Sequence, residues 1–308
     1  MKKVLAIVGP TASGKTNLAI EAAAILNGEI ISADSRQIYK HIPIATSHPA
    51  KEDTKKIKHY FINQLMPEEE FTAGQFGKKA RLIIDDIFLR GKYPVIAGGS
   101  GLYIRSLIDG FFEEEIKSQE IKHELNEKLK LKGKEFLYDE LKKIDKDAAK
   151  TMNAESTQRV IRALEVFYVS GKKISELQKE KIKINFETIQ IGLMLEREYL
   201  YDRINKRVGM MIEKGLTDEV RKLKDNGFHY MTYNSLNTVG VKEVFKYFEG
   251  EYDYDEMIRM IKQNTRRYAK RQMTWFRKDK RINWISVNEE TTSDELVDKI
   301  LKILNQEL

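Results

Sequence analysis

The chain has 308 residues and no cysteine. That absence removes disulfides, thiolate zinc sites and cysteine nucleophiles together, and a cytoplasmic location fits it. Proline is scarce: Pro10, Pro43, Pro49, Pro67 and Pro94 are all there are, and all lie in the first third. Beyond Pro94 nothing of that kind interrupts a long helix. No apolar run approaches the roughly 18 residues of a membrane span, so no membrane association is expected. The run Val4-Leu5-Ala6-Ile7-Val8 follows two lysines but is too short for a signal peptide. It also feeds a glycine motif that cleavage would destroy. The five histidines (His41, His48, His59, His123, His229) lack metal-ligand spacing.

What is present describes a folded, basic protein. Hydrophobic residues make up 41% and charged residues 33%, enough for a packed core. The net charge of +7 and pI near 9.1 suit a polyanionic partner, and equally a solvated lysine-rich surface. The first third alternates strand and helix signals. Strands are expected at Lys3–Val8, Glu29–Ser32 and Tyr93–Ala97, and helices from the glycine loop to Leu26 and over Gln75–Arg90. That alternation predicts an α/β fold: a phosphate-loop (P-loop) core with a parallel sheet and helices on both faces. Ligands of such sheets sit beyond the carboxyl ends of the strands. From about Glu114 to Lys183 charges are dense and apolar residues recur at helical spacing, which predicts a helical insertion. The sheet resumes at Thr188–Met194, and a last strand is expected at Asn283–Val287. The expected division is a core of residues 1–113 and 186–308, with an insertion domain of residues 114–185.

Gly9-Pro10-Thr11-Ala12-Ser13-Gly14-Lys15-Thr16 matches G-x-x-x-x-G-K-[ST] between a strand and a helix, where that motif belongs. Its glycines let several N–H groups converge on one phosphate, and the following helix adds its positive end. Lys15 supplies a cation, and the Thr16 hydroxyl suits Mg²⁺ or a phosphate oxygen. The motif predicts a diphosphate or triphosphate ligand without specifying a nucleotide. A nucleoside-triphosphate hydrolase would carry an Asp at the end of a second apolar strand, yet Tyr93–Ala97 ends in Gly98. Asp34, just after a core strand, is either an N-cap or a group reaching the ligand.

GPTASGKT, ISADSRQIY at Ile31–Tyr39, AGGSGLYIRSL at Ala97–Leu107, TQRVIRALEVF at Thr157–Phe167, GLTDEVRKL at Gly215–Leu223 and TRRYAKRQMTWFR at Thr265–Arg277 together resemble tRNA dimethylallyltransferases. They follow the family's order over nearly the whole chain. Three places depart from it. His48 stands for a usual Lys, Ser100 for a usual Thr, and Val241 for a usual Tyr.

The resemblance implies transfer of a dimethylallyl group from dimethylallyl diphosphate to the N6 amine of the adenine beside the anticodon of tRNA. Gly9 to Thr16 would hold the diphosphate. Lys15, Arg221 and Mg²⁺ on Thr16 would neutralise the departing charge, and Asp34 would accept the amine proton. Each such preorganised donor is worth about 3–4 kcal/mol in the transition state. Asp34, Ser35, Arg36, Gln37, Ser100, Gln158, Arg159, Val160, Ile161 and Arg162 would contact tRNA. The target base has to leave its stack, at a cost of a few kcal/mol. Arg259–Arg281 carries ten basic residues against one acid, Asp279, with Trp275 and Phe276 inside it. That is the composition of a phosphate-tracking surface, with the charges expected outward and the aromatics inward. The expected protein is a monomer. A prenyltransferase for free adenine nucleotides, a small-molecule kinase and a nucleotide-sensing nucleic-acid-binding protein are the alternatives.

Overall fold

The computed structural model describes residues 2–110, 116–180 and 182–306. The chain forms two compact units, Met1–Ile108 with Ile184–Leu308, and Asp109–Lys183. The expected boundary between residues 113 and 114 lies outside the described residues.

The larger unit is built on six parallel strands: β1 (Lys2–Val8), β2 (Gly28–Ser32), β3 (His59–Tyr60), β4 (Tyr93–Gly98), β5 (Phe186–Leu195) and β6 (Ile282–Val287). Their order is β3-β2-β4-β1-β5-β6. β1 is central, pairing Ala6 with Ile96 of β4 and Gln190 of β5. Each of the five expected strands is present. The two-residue β3 is additional, and such a strand carries no readable alternation.

Around the sheet lie α1 (Lys15–Ile25), α2 (Lys51–Lys56), α3 (Ala73–Leu89) and α4 (Gly101–Ile108). The smaller unit contributes α5 (Gln119–Ile144), α6 (Lys146–Lys150), α7 (Thr157–Ser170) and α8 (Ile174–Leu177). The larger unit then continues with α9 (Arg197–Glu213), α10 (Leu216–Asp225), α11 (Val241–Phe248), α12 (Tyr254–Phe276) and α13 (Ser293–Gln306). Strand side chains alternate between faces. Leu5 and Ile7 join Ala19 and Ala22 of α1, Ile204 of α9 and Ile300 of α13 in one core cluster. Val4, Ala6 and Val8 point the other way and are also fully buried; on that side α3 packs against β4. Helices therefore cover both faces, as the unbroken apolar strands require.

The helical unit buries Leu125, Leu137 and Leu141 of α5 against Val160, Ile161 and Leu164 of α7. Gly133 (φ 82°) breaks α5 partway, and Gly171 (φ 70°) ends α7. Asp145 knits the unit together, accepting from Ala148 N (3.0 Å), Ser175 N (3.0 Å) and Ser175 Oγ (2.7 Å). Among the described residues no helix is long and apolar enough to cross a membrane.

Candidate functional site

Three residues of the phosphate loop have left-handed backbones: Gly9 (φ 146°), Ala12 (φ 64°) and Gly14 (φ 96°). This curl turns the chain at the end of β1 before α1 begins at Lys15. The loop is braced from two directions. Arg203 Nε of α9 donates to Ala12 O (2.8 Å). Gln272 of α12 accepts from Thr11 N (2.8 Å) and donates to Gly99 O (2.9 Å). Lys15 Nζ donates to Pro10 O and Ser13 Oγ, so its ammonium folds over the cradle.

A cavity of about 380 Å³ opens beside the loop at the carboxyl edge of the sheet. Thr11, Lys15 and Thr16 line it, together with Asp34, Arg207 and Tyr268. No helix begins directly after Asp34, so it is not an N-cap; it closes a turn instead. Its Oδ1 accepts from Arg36 N (2.9 Å) and Gln37 N (3.4 Å), which holds the carboxylate in place while the side chain lines the cavity. Burial pushes the Lys15 ammonium down to about 7; Arg207 adds to this and Asp34 opposes it. Burial likewise lowers Arg207, again opposed by Asp34. Burial is also the largest effect on Tyr268, whose phenol it raises to about 12, so that group is neutral at physiological pH. Lys15, Arg207 and Asp34 thus share one cavity.

The structure explains why β4 ends in glycine. A Cβ on Gly98 would lie 2.2 Å from Ala33 O. The backbone following β2 occupies the place where a metal-binding Asp would project. Ser100 continues the contact. Its N–H donates to Ala33 O (3.1 Å), its Oγ accepts from Ser35 N (2.9 Å) and then donates to Ser35 Oγ (3.2 Å). Gln37 lines the cavity with its carboxamide engaged internally, accepting from Ser32 Oγ (2.8 Å) and donating to Thr46 O (3.2 Å) and Ser47 O (3.1 Å). Arg36 Nη1 donates to Asn234 O (2.7 Å).

Several sequence-based expectations need correction. Arg221 is exposed on α10 and stacks on Phe248, 4.5 Å from the ring centre, and it does not line the cavity. The second cation beside Lys15 is Arg207 of α9. Within the helical unit, Val160 and Ile161 are 1% and 2% exposed, so neither side chain can touch RNA. Arg162 is half-buried, donating to Ile116 O (2.6 Å) and pairing with Glu165 (2.7 Å); it holds that unit together. Gln158 and Arg159 of α7 are exposed. In the basic tract Phe276 is buried at 2%, but Trp275 is 41% exposed and covers Gly101, where a Cβ would meet its indole at 2.2 Å. The sequence reading missed Arg203, Arg207, Tyr268 and Gln272. Arg203 and Arg207 carried one usable signal: a four-residue spacing places both on one helix face after a core strand.

The chain is similar to known proteins over nearly its whole length. The family model described as IPP transferase matches residues 37–279. A tRNA dimethylallyltransferase of Acetivibrio thermocellus is 48% identical, over 98% of this chain and 97% of that protein. One from Halothermothrix orenii is 43% identical, over 92% and 88%. The crystal structure of the tRNA isopentenylpyrophosphate transferase of Bacillus halodurans is 37% identical with a TM-score of 0.73, covering 99% and 98% of the two chains. A eukaryotic dimethylallyltransferase captured acting on tRNA is 29% identical with a TM-score of 0.82, covering 99% of this chain and 79% of its own. With a family model over most of its length and relatives this similar end to end, the chain belongs to the IPP transferase family.

Proposed function

We propose that the protein transfers the dimethylallyl group of dimethylallyl diphosphate to the N6 amine of the adenine 3′-adjacent to the tRNA anticodon, releasing diphosphate. The observation that carries this reading is the gathering of Lys15, Arg207 and Asp34 around one cavity at the mouth of the phosphate loop. An allylic carbon parts readily from diphosphate once the departing charge is neutralised. The loop amides, Arg207 and the protonated form of Lys15 supply positive charge for this beside the leaving group. Thr16 lines the same cavity. Magnesium takes few protein oxygens and keeps several waters, so Thr16 with diphosphate oxygens suits it; when bound it adds charge neutralisation at the leaving group.

The adenine amine is a weak nucleophile until the carbon–nitrogen bond begins to form, after which it loses a proton easily. Asp34 accepts that proton, and its bonds to Arg36 N and Gln37 N make it a positioned base. Ser35, Arg36 and Ser100 surround the entry of the base, with Gln37 shaping the wall. Gln158 and Arg159 of the helical unit, and the exposed Lys270, Arg277 and Lys278, are the proposed contacts to RNA.

The test is incubation with labelled dimethylallyl diphosphate and Mg²⁺ plus either tRNA or AMP. Label is expected in tRNA alone. Label in AMP would move the assignment to a free-nucleotide prenyltransferase, and ATP-dependent phosphorylation without prenyl transfer would move it to a kinase. Asp34→Asn should lower kcat by about 10²–10⁴-fold while tRNA binding persists. Turnover near wild type in that variant removes Asp34 from the reaction.

A further inference from the structure

Glu219 on α10 is 9% exposed, and the chemistry proposed above gives it nothing to do. Its Oε2 accepts from Ile44 N (2.8 Å) and its Oε1 from Ala45 N (2.9 Å), both far away in sequence. Those two amides open a single helical turn. Within it Thr46 N and Thr46 Oγ1 donate to Ile42 O (3.1 and 2.7 Å), Ser47 N to Ile44 O (3.0 Å) and His48 N to Pro43 O (3.0 Å). The first N–H groups of a helical turn have no partner inside it and favour negative charge. Glu219 therefore caps this turn from a helix elsewhere in the larger unit. From the other side, Gln37 Nε2 holds Thr46 O and Ser47 O. Ala45, Thr46 and Ser47, fixed between the two, line the cavity that contains Lys15 and Asp34.

A second cavity of about 680 Å³ borders Glu219 on its outer side. His41, Lys214, Asp218 and Lys222 are the other titratable groups lining it. Burial pushes the Glu219 carboxyl up to about 7, against the pull of the Ala45 and Ile44 amides and of Lys222.

We propose that Glu219 is a positioning residue: as a carboxylate it clamps the turn at residues 42–48 and so sets one wall of the substrate cavity. The proposal rests on the function proposed above only for its kinetic consequence. The clamp needs the ionised form, because a neutral carboxylic acid exchanges one acceptor oxygen for a donor and releases an amide.

The experiment uses the full chain and its Glu219→Gln and Glu219→Ala variants. Hydrogen exchange is followed by mass spectrometry in peptides covering residues 42–49, with residues 9–16 as internal control. This readout needs no turnover, so it judges the clamp even if the proposed reaction is wrong. At pH 8.5, where Glu219 is ionised, exchange across 42–49 should accelerate about tenfold or more in the variants while the control stays protected. Where the reaction is present, KM for a tRNA anticodon stem-loop should rise about fivefold with kcat within about twofold. In the wild type that KM should also rise as pH falls through about 7, the range in which Glu219 loses its charge. Glu219→Gln, lacking the titration, should lose that dependence. Should the alanine variant fail to fold, the glutamine variant decides. Unchanged protection across 42–49, or an unaltered pH dependence in Glu219→Gln, overturns the proposal.

Discussion

Burial and the Arg207 guanidinium push the Lys15 ammonium down to about 7, with Asp34 opposing. A diphosphate would reverse that balance, because an anion beside Lys15 favours its charged form. The sign follows. As pH rises through about 7 the free protein gives up the Lys15 proton, whereas the complex keeps it. Donor binding should therefore take up a proton above pH 7, and donor KM should rise with pH by up to about tenfold per unit. Calorimetry in buffers of different ionisation heat measures the uptake; its absence would show that Lys15 stays charged in the free protein. The two arginines separate as cleanly. Arg207→Gln should cost about 10²–10³-fold in kcat/KM for the donor, as expected for one preorganised donor. Arg221→Gln, which releases an exposed guanidinium from the half-buried Phe248 ring, should stay near wild type. Equal losses in steady-state assays would return Arg221 to the site. Both residues lie on amphipathic helices of mixed charge. Motif position could not tell them apart, because which helix face meets the phosphate loop is a matter of packing.

Elements were legible wherever their pattern is local. The glycines of the phosphate loop, the buried apolar strands and the Gly171 stop of α7 can each be read from a handful of adjacent residues. What an element meets is another matter. The α7 pattern showed a helix, but burial of Val160 and Ile161 took those two from the RNA surface and gave them to the core of the helical unit. The glycine at the end of β4 looked only like a missing acid. Its cause is the Ala33 backbone, which arrives from a different strand. Gly98→Ala should therefore cost roughly 1–3 kcal/mol or more, since the atoms in the way are backbone and cannot rotate aside. A thermal melt within a degree of wild type would mean that β2 and β4 can part at their ends without penalty.

On the scale of the whole molecule, the basic balance of the chain becomes a prediction about binding. If Lys270, Arg277 and Lys278 track phosphates, the logarithm of tRNA affinity should fall linearly with the logarithm of salt concentration. The slope should be about −0.7 to −0.9 per phosphate contact, measured by filter binding or anisotropy. A flat response would reassign these charges to solubility. Short-range pattern was enough for the phosphate cradle, the parallel α/β core, the helical stretch and the family. Each depends on neighbours within one element, where spacing and chemistry speak directly. Which cation joins Lys15, why β4 admits no acid and how Glu219 reaches Ile44 and Ala45 became visible in the folded chain alone. These are contacts between residues far apart in the chain, and packing of the finished fold alone brings them to one place.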